Sequence, residues 1–474
     1  MSWDRLRRRR SDAGQVLEEL RRRRVALLGL GVSHEALARF LAGQGVTVTV
    51  LDRKPPEALA PRLERLRGLA VNYRLGEAYQ DGLRGHDLIF LTPGARPDEP
   101  IVGQAVAGGA ELSSEIELLL LLCRAPVLGI TGSAGKTTTT ALIGAILERA
   151  GRPVRVGGNI GRPLIEEALS IDPGEQVVLE MSSFQLELLT VSPEIAVLLN
   201  LRPNHLDAHQ SMDAYVAAKT NIYRHQQAGG WAVFNADEPR TRELGSARTA
   251  GTAWFSALDS VEPGAYLADG LVWLNREPVC PAADLALPGR HNLENFLAAT
   301  AASALAGAPA EAIARAGREF PGVPHRLELV GEVGGVRYVN DSIATAPDRT
   351  AAALATLPGP ILLVLGGYDK KVGFAELAHL ILGGGKVRRV FLTGPTADQI
   401  ERALTQAAEE TGLAPPPHER HRRYDELLPA LAAAARPGDT VLLSPACASF
   451  DSFANFEERG DLFRRFVATL AARA

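Results

Sequence analysis

Short runs of branched apolar residues alternate with helical patterns almost from one end of the chain to the other. The clearest runs fall at 25–28, 46–51, 88–91, 127–130, 177–179, 195–199, 361–365, 390–393 and 440–443. They are apolar throughout and do not alternate with polar residues, which is how strands buried on both faces of a parallel sheet read. Parallel strands need crossovers, and the helical stretches between the runs supply them. The pattern predicts an α/β protein built in blocks around mostly parallel sheets.

Two interruptions divide the pattern. One lies near Ser114, before a helix expected over 115–123 and a fresh strand after Ala125-Pro126; the other lies near Gly322, in Phe320-Pro-Gly-Val-Pro324. With 474 residues and about 150 residues per domain, three domains are expected, over 1–114, 115–322 and 323–474. No long Ser/Gly-rich or charged linker separates them, so the domains are expected to touch.

Composition narrows the class. Hydrophobic residues make up 46% and charged residues 22% of the chain, which excludes wholesale disorder. A net charge of −4 gives no basic field of the kind that holds nucleic acid. Cys123, Cys280 and Cys447 stand far apart, so neither a disulfide framework nor a zinc site is expected. Two arginine runs, 7–10 and 21–24, precede an apolar stretch at 25–32, imitating the start of a signal peptide. His34 and Glu35 follow at once and no A-x-A pattern appears. The stretch is also far short of the roughly 20 residues a membrane helix needs. A cytoplasmic protein without stable membrane insertion, and a monomer, is expected, with the first arginine run on a solvated helix face.

Three glycine loops are candidates for phosphate. The strongest is Gly129-Ile-Thr-Gly-Ser-Ala-Gly-Lys-Thr137, between an apolar strand and a helix expected over 138–150. Glycines let backbone N–H groups turn toward phosphate oxygens, and the helix N-terminus adds partial positive charge. Lys136 would reach the β- and γ-phosphates and the Thr137 hydroxyl a Mg²⁺ ion. The spacing is G-x-x-G-x-x-G-K-T, with Ile130 at the first glycine position of the usual phosphate loop. The second loop is Gly29-Leu-Gly31, with Asp52 about 20 residues on, as in dinucleotide folds. His34 replaces the third glycine, so looser helix–strand packing is expected there; a UDP-type ligand on 29–33 with Asp52 and Lys54 fits as well as a dinucleotide. The third, Gly157-Gly-Asn-Ile-Gly161, reads equally as a diphosphate contact or a turn.

The chain has six lysines, Lys54, Lys136, Lys219, Lys370, Lys371 and Lys386, among 51 basic residues. Where composition drives cationic positions to arginine, a surviving lysine points to a need for an amine. Lys219 lies among alanines in a helical stretch, and Lys370 follows Gly366-Gly-Tyr-Asp369 beyond an apolar strand. Glu180 and His205 sit just after strands and suit a divalent cation; each also reads as an ordinary helix-end or loop residue. Asp341 and Ser342 suit either a helix cap or a ribose or phosphate contact.

Taken in order, Thr131-Gly-Ser-Ala-Gly-Lys-Thr137, Glu180-Met-Ser-Ser-Phe-Gln-Leu-Glu187, His205-Leu-Asp207, Ala217-Ala-Lys219, Gly289-Arg-His-Asn292, His325-Arg326, Asn340-Asp-Ser342 and Ser444-Pro-Ala-Cys-Ala-Ser449 resemble the Mur ligases. The resemblance runs from about Val25 to Phe466 and is most like the members that add D-glutamate. Its most specific parts are Ser182–Glu187 and the run 451–460. It implies a Rossmann-like N-terminal domain for a UDP-sugar, a central P-loop ATPase and a Rossmann-like C-terminal domain completing the ATP and amino-acid sites. It also implies ATP-dependent amide formation, in which the carboxylate of UDP-N-acetylmuramoyl-L-alanine is phosphorylated by ATP and D-glutamate then attacks the acyl phosphate.

Residue by residue, the resemblance implies an ATP site from Gly132, Ser133, Ala134, Gly135, Lys136, Thr137, Thr138, Asn292, Arg326 and Asp341. Thr137 and Glu180 would hold a first Mg²⁺, His205 and Lys219 a second, with Lys219 carbamylated into an anionic oxygen donor. Lys136, His205 and Lys219 would be catalytic. D-Glutamate would meet Thr345, Lys370, Ser449 and Phe456, and the UDP-sugar Val32, Ser33, Asp52, Lys54, Asn159 and Ser182. Two positions depart from the family pattern. Ile343 stands where a lysine is usual, so either another cation substitutes, Lys371 being the neighbour of Lys370, or turnover is weakened. Asn204 stands where an acidic residue commonly precedes the histidine.

Overall fold

The structure is a computed structural model that describes Trp3 and residues 12–79, 82–159, 163–203, 209–369 and 372–473. The chain divides into two compact units, 1–320 and 321–474. The first unit contains two sheets. Strands β1 (Val25–Leu28), β2 (Val48–Asp52), β3 (Val71–Leu75), β4 (Leu88–Leu91) and β5 (Glu111–Ser113) form a parallel sheet in the order β3-β2-β1-β4-β5. The apolar run at 46–51 begins its pairing two residues later than the sequence suggests, and Asp52 closes the strand. The central strands β1 and β4 are buried at every position, as their unbroken apolar sequence demands.

The second sheet has nine strands: β6 (Val127–Thr131), β7 (Val154–Gly158), β8 (Gln176–Glu180), β9 (Ile195–Leu198), β10 (Trp231–Asn235), β11 (Gly251–Ser256), β12 (Gly264–Ala268), β13 (Leu271–Leu274) and β14 (Glu277–Pro281). Their order is β14-β13-β12-β11-β10-β9-β6-β8-β7, with only β12-β13-β14 antiparallel. The meander ends at β14, in which Pro278 and Pro281 are two of five residues. The C-terminal ends of β6, β8 and β9 are neighbours. The glycine loop, Glu180 and Asn200 therefore emerge along one sheet edge, where open α/β sheets collect ligands.

The second unit holds β15 (Glu328–Val333), β16 (Val336–Asn340), β17 (Ile361–Gly366), β18 (Val387–Thr393), β19 (His418–His421) and β20 (Thr440–Leu443) in the order β15-β16-β20-β17-β18-β19. Only β15 runs antiparallel to its neighbour. Because β16 and β20 pair in parallel, the segments after Asn340 and after Leu443 leave from the same edge.

Helices α1 (Ala13–Arg21), α2 (Val32–Gly43), α3 (Pro56–Arg65) and α4 (Glu115–Leu122) frame the first sheet. Helix α1 starts where the Asp12 carboxylate accepts from the Gly14 N–H at 2.7 Å. It buries Ala13, Val16, Leu17 and Leu20, an i, i+3, i+4, i+7 stripe, in one core with Ile116 and Leu119 of α4. The second arginine run is structural: Arg21 bonds the Gln44 carbonyl, Arg23 reaches Glu19 and Glu111, and Arg24 pairs with Asp87. The run 7–10 lies outside the described residues.

Glu35 of α2 is the charged hub of this face. It is 5% exposed and accepts from Arg39 at 2.6 Å, Arg62 at 2.9 Å and Arg65 at 2.6 Å, while Arg39 also grips Glu166 at 2.9 Å. Burial opposes ionisation of Glu35, but the Arg65 and Arg39 guanidiniums override it and bring the carboxyl down to about 2. A depressed folded value means the stabilisation is full above pH 4.5 and fades as pH falls toward 2. Glu35→Gln leaves three arginines without their shared partner and should cost about 3 kcal/mol at pH 7. Urea melts of both proteins should converge below pH 3; a constant gap across pH contradicts the assignment.

Candidate active site

The glycine loop joins β6 to α5 (Lys136–Arg149), so the helix begins two residues earlier than the pattern 138–150 suggests, with Lys136 in its first turn. Gly135 caps it at φ +84°, and a Cβ there would stand 2.3 Å from Asn295 Oδ1. Glycine is required on both counts. The loop is held from the side by Asn200, at the end of β9. Asn200 Oδ1 accepts from the Ala134 N–H at 2.8 Å, and its Nδ2 donates to the Ala134 carbonyl at 3.1 Å. The Ser133 hydroxyl lies 2.8 Å from the Arg202 carbonyl and 2.9 Å from the Tyr215 hydroxyl. Thr137 is half-buried and Thr138 buried in the first turn of α5.

Two amines converge on one carbonyl of this loop. Lys136 Nζ donates to Gly132 O at 3.1 Å. Lys219, in α7 (Met212–Arg224; the short α6, Ser183–Glu187, precedes it), donates to the same oxygen at 3.0 Å and to Thr131 Oγ1 at 3.2 Å. Lys219 is 1% exposed, and its Nζ lies 4.8 Å over the Tyr215 ring. Burial drives its pKa well below the ordinary lysine value; the nearby Lys136 charge adds to this and Glu180 opposes it. Such a shift favours the neutral amine over the ammonium.

Glu180 ends β8 at 2% exposure. Asn159 Nδ2 donates to its Oε1 at 2.8 Å, and its Oε2 is buried with no hydrogen-bond partner. An orphaned carboxylate oxygen beside a phosphate loop suits Mg²⁺, which takes one or two protein carboxylates and completes its shell with phosphate and water. No cluster of three or more His, Cys, Asp or Glu stands ready as a metal cage among the described residues, and Mg²⁺ does not need one. His205 and Asn204 lie outside the described residues. Asn159, expected from the resemblance to touch the UDP-sugar, makes its side-chain bond to Glu180. Ser182 caps α6 in a reciprocal box with Gln185. Ser183 next to it bonds His209 at 2.9 Å, whose ring stacks on Phe184 at 5.1 Å.

Asn292 lies in the first turn of α8 (Arg290–Leu305) and bonds the Pro288 carbonyl at 2.8 Å. One turn on, buried Asn295 accepts from Thr139 at 3.3 Å and packs under Gly135. Sequence reasoning missed Asn295 and Asn200. The i, i+3 spacing of Asn292 and Asn295 on one helix face was the available signal for the first, and for the second, an amide at a strand end.

At the first sheet, Gly29 takes φ +87°, where a Cβ would stand 2.5 Å from Thr92. The Asp52 carboxylate accepts from the Leu30 N–H at 2.7 Å and the Lys54 N–H at 2.9 Å, so it shapes the turn. Val32 and Ser33 open α2, and Val32 is 59% exposed. His34 corrects the expectation of loose packing: it is fully buried, its Nδ1–H donates to Gly29 O at 2.8 Å, and burial pushes its pKa down to about 4. Beyond Lys54, an open cavity of about 820 Å³ is lined by Arg53, Tyr79, Arg84, Glu99, Ile101 and Gln104. None of these six was singled out in the sequence.

In the second unit, Asp341 follows β16 and is 4% exposed. Ser444 Oγ donates to it at 2.7 Å and the Leu327 N–H at 3.2 Å, while burial raises its pKa to about 6. Arg326 sits between two left-handed residues, His325 at φ +62° and Leu327 at φ +43°, a strained turn of the kind found at ligand clamps. Thr345 is half-buried, Ser449 is 2% exposed, and the Phe456 ring meets His325 edge-on at 6.1 Å. Lys370 and Lys371 lie outside the described residues.

Residues 23–114 match the model "Mur ligase MurD-like, N-terminal domain", residues 130–303 "Mur ligase middle domain" and residues 325–447 "Mur ligase, glutamate ligase domain". A protein of Symbiobacterium thermophilum named UDP-N-acetylmuramoylalanine--D-glutamate ligase is 47% identical over 97% of this chain and 100% of its own. One of the same name from Acetivibrio thermocellus is 42% identical over 96% of this chain and 98% of its own. Among solved structures, UDP-N-acetylmuramate-alanine ligase MurC of Thermotoga maritima has a TM-score of 0.54 at 20% identity, covering 95% of this chain and 100% of that one. MurF of Acinetobacter baumannii has a TM-score of 0.56 at 20% identity, covering 83% and 92%. Three family domains in order, and relatives above 40% identity along nearly the whole length, establish that the chain belongs to the Mur ligase family.

Proposed function

We propose that the chain joins D-glutamate to UDP-N-acetylmuramoyl-L-alanine at the expense of ATP, as an ADP-forming amide ligase of peptidoglycan precursor synthesis. The printed names of the full-length relatives support the substrate pair. The observation that carries the chemistry is the convergence of Lys136 and Lys219 on the Gly132 carbonyl, close to a buried Glu180 oxygen that has no hydrogen-bond partner. Transferring a phosphoryl group to a carboxylate sets anion against anion, so the site must supply positive charge and fixed positions.

In this reading the 132–138 backbone and Lys136 grip the ATP phosphates, with Asn292, Arg326 and Asp341 holding the rest of the nucleotide. Magnesium bound with the nucleotide would neutralise phosphate charge; Thr137 and Glu180 would hold one ion, His205 and Lys219 a second. The buried Lys219 amine, in its neutral form, adds to carbon dioxide with loss of a proton, and the resulting carbamate is an anionic oxygen donor that arginine could not provide. Val32, Ser33, Asp52, Lys54, Asn159 and Ser182 belong to the UDP-sugar side. Thr345, Lys370, Ser449 and Phe456 orient D-glutamate so that its amine reaches the acyl carbon as phosphate leaves. The location is cytoplasmic and the protein works as a monomer; among the described residues no helix is long and apolar enough to cross a membrane.

The direct test offers purified protein ATP, Mg²⁺ and UDP-N-acetylmuramoyl-L-alanine, with amino acids supplied singly. Phosphate should be released with D-glutamate and not with L-alanine, L-lysine or meso-diaminopimelate; release with one of those instead overturns the substrate assignment. Lys219→Ala should lower turnover roughly 100- to 1000-fold, and a short-chain carboxylate such as formate or acetate should restore part of it. Lys219→Arg should be equally slow and not rescued. Full activity of Lys219→Arg would remove the carbamate.

A further inference from the structure

The second unit contains a buried cation that forms no ion pair among the described residues. Arg459, in the first turn of α9 (Phe456–Ala471), is 1% exposed. Its Nε donates to Ser342 Oγ at 2.9 Å, Nη2 to the Ser342 carbonyl at 2.8 Å and Nη1 to the Cys447 carbonyl at 3.1 Å. No carboxylate among the described residues forms an ion pair with it. Acidic residues near it in sequence have other partners: Glu458 accepts from the Ala454 N–H at 2.8 Å and Asp461 pairs with Arg464 at 3.1 Å, while exposed Asp451, eight residues away, accepts from Ser452 at 3.1 Å. Burial pushes the adjacent Tyr424 phenol up to about 12; Arg459 opposes the shift, and the Asp451 charge adds to it.

A guanidinium cannot shed its proton to escape such a place, and burying a charge without a counter-ion is destabilising. Structural clamping does not need that charge. Ser342 Oγ already ties its loop to α9 by donating to the Phe456 carbonyl at 2.8 Å, and a neutral amide could bridge Ser342 and Cys447. The location decides between the two roles. Arg459 lies directly behind two segments, 341–345 and 444–449, that leave the same edge of the sheet from the paired strands β16 and β20. The 341–345 segment carries no basic side chain of its own, its middle residue being Ile343.

We infer that Arg459 is a positioning residue whose fixed positive charge makes this end of the sheet select an acidic amino acid. It acts through the Ser342 and Cys447 backbone it polarises, without touching the substrate, and the negative charge of the incoming amino acid is its missing counter-ion. This rests on D-glutamate being the acceptor.

Arg459→Lys keeps the charge and loses the planar fork, whereas Arg459→Gln keeps neutral donors and loses the charge. In Arg459→Gln the KM for D-glutamate should rise roughly 10- to 100-fold while the KM for ATP moves less than about threefold; Arg459→Lys should stay near the original value for both. A clamp without electrostatic function gives the reverse ranking, with Gln near normal and Lys impaired, and overturns the inference. So does an equal rise in every KM. Should neither variant fold, the unaltered protein decides. With a non-hydrolysable ATP analogue and UDP-N-acetylmuramoyl-L-alanine present, D-glutamate should raise the melting temperature and D-glutamine should not; equal shifts, or none, reject the proposal. Turnover of D-glutamate by the unaltered protein is read first, so failure of the substrate reading is seen separately.

Discussion

The fixed backbone of residues 132–137 is the constraint on which the central site depends. Its shape comes from a left-handed Gly135 that no side chain can replace, from an Asn200 amide that both donates to and accepts from Ala134, and from Ser133 held between Arg202 and Tyr215. Three different elements therefore define one loop. Because the loop is set, the Gly132 carbonyl becomes a fixed acceptor on which two lysines from separate helices meet, and burial, with the Lys136 charge adding to it, lowers the pKa of Lys219. Preorganised dipoles of this kind stabilise developing charge without rearranging at the moment of reaction.

The central strands were legible because burial on both faces leaves no room for polar residues, and all nine apolar runs lie in strands or overlap them. Several of the strands outside those runs are of a different kind, although β10 is interior and buried. β3 reads Val-Asn-Tyr-Arg-Leu with one face toward solvent, β5 has three residues, and the meander β12–β14 is half-exposed. In these, an edge position, short length or a face toward solvent erases the signal. Helix α5 began early for a similar reason: a glycine-capped start has no Ser or Asp to announce it.

Legibility of the site followed the same divide. Residues with unusual chemistry for their setting, such as Lys219 among alanines or Glu180 at a strand end, stood out in the sequence. Residues whose work is to hold others did not. Asn200, Asn295 and Arg459 are ordinary polar side chains until the fold shows what they bond. Asp52 marks the opposite case, since its position was read correctly and the structure gives its carboxylate to two backbone N–H groups. Pattern locates such a residue; only the hydrogen bonds say what occupies it.

The proline-rich outer strand of the central sheet has a consequence for the behaviour of the whole molecule. An exposed sheet margin is a template on which another chain can add itself, and long all-parallel sheets are slow to complete and vulnerable while they wait. Two of the five residues of β14 have no N–H to offer, so this margin is a poor scaffold for a foreign strand. The antiparallel tail thus acts as a stopper on the sheet's growth, and its loss would show as clumping during synthesis before any effect on the chemistry was felt.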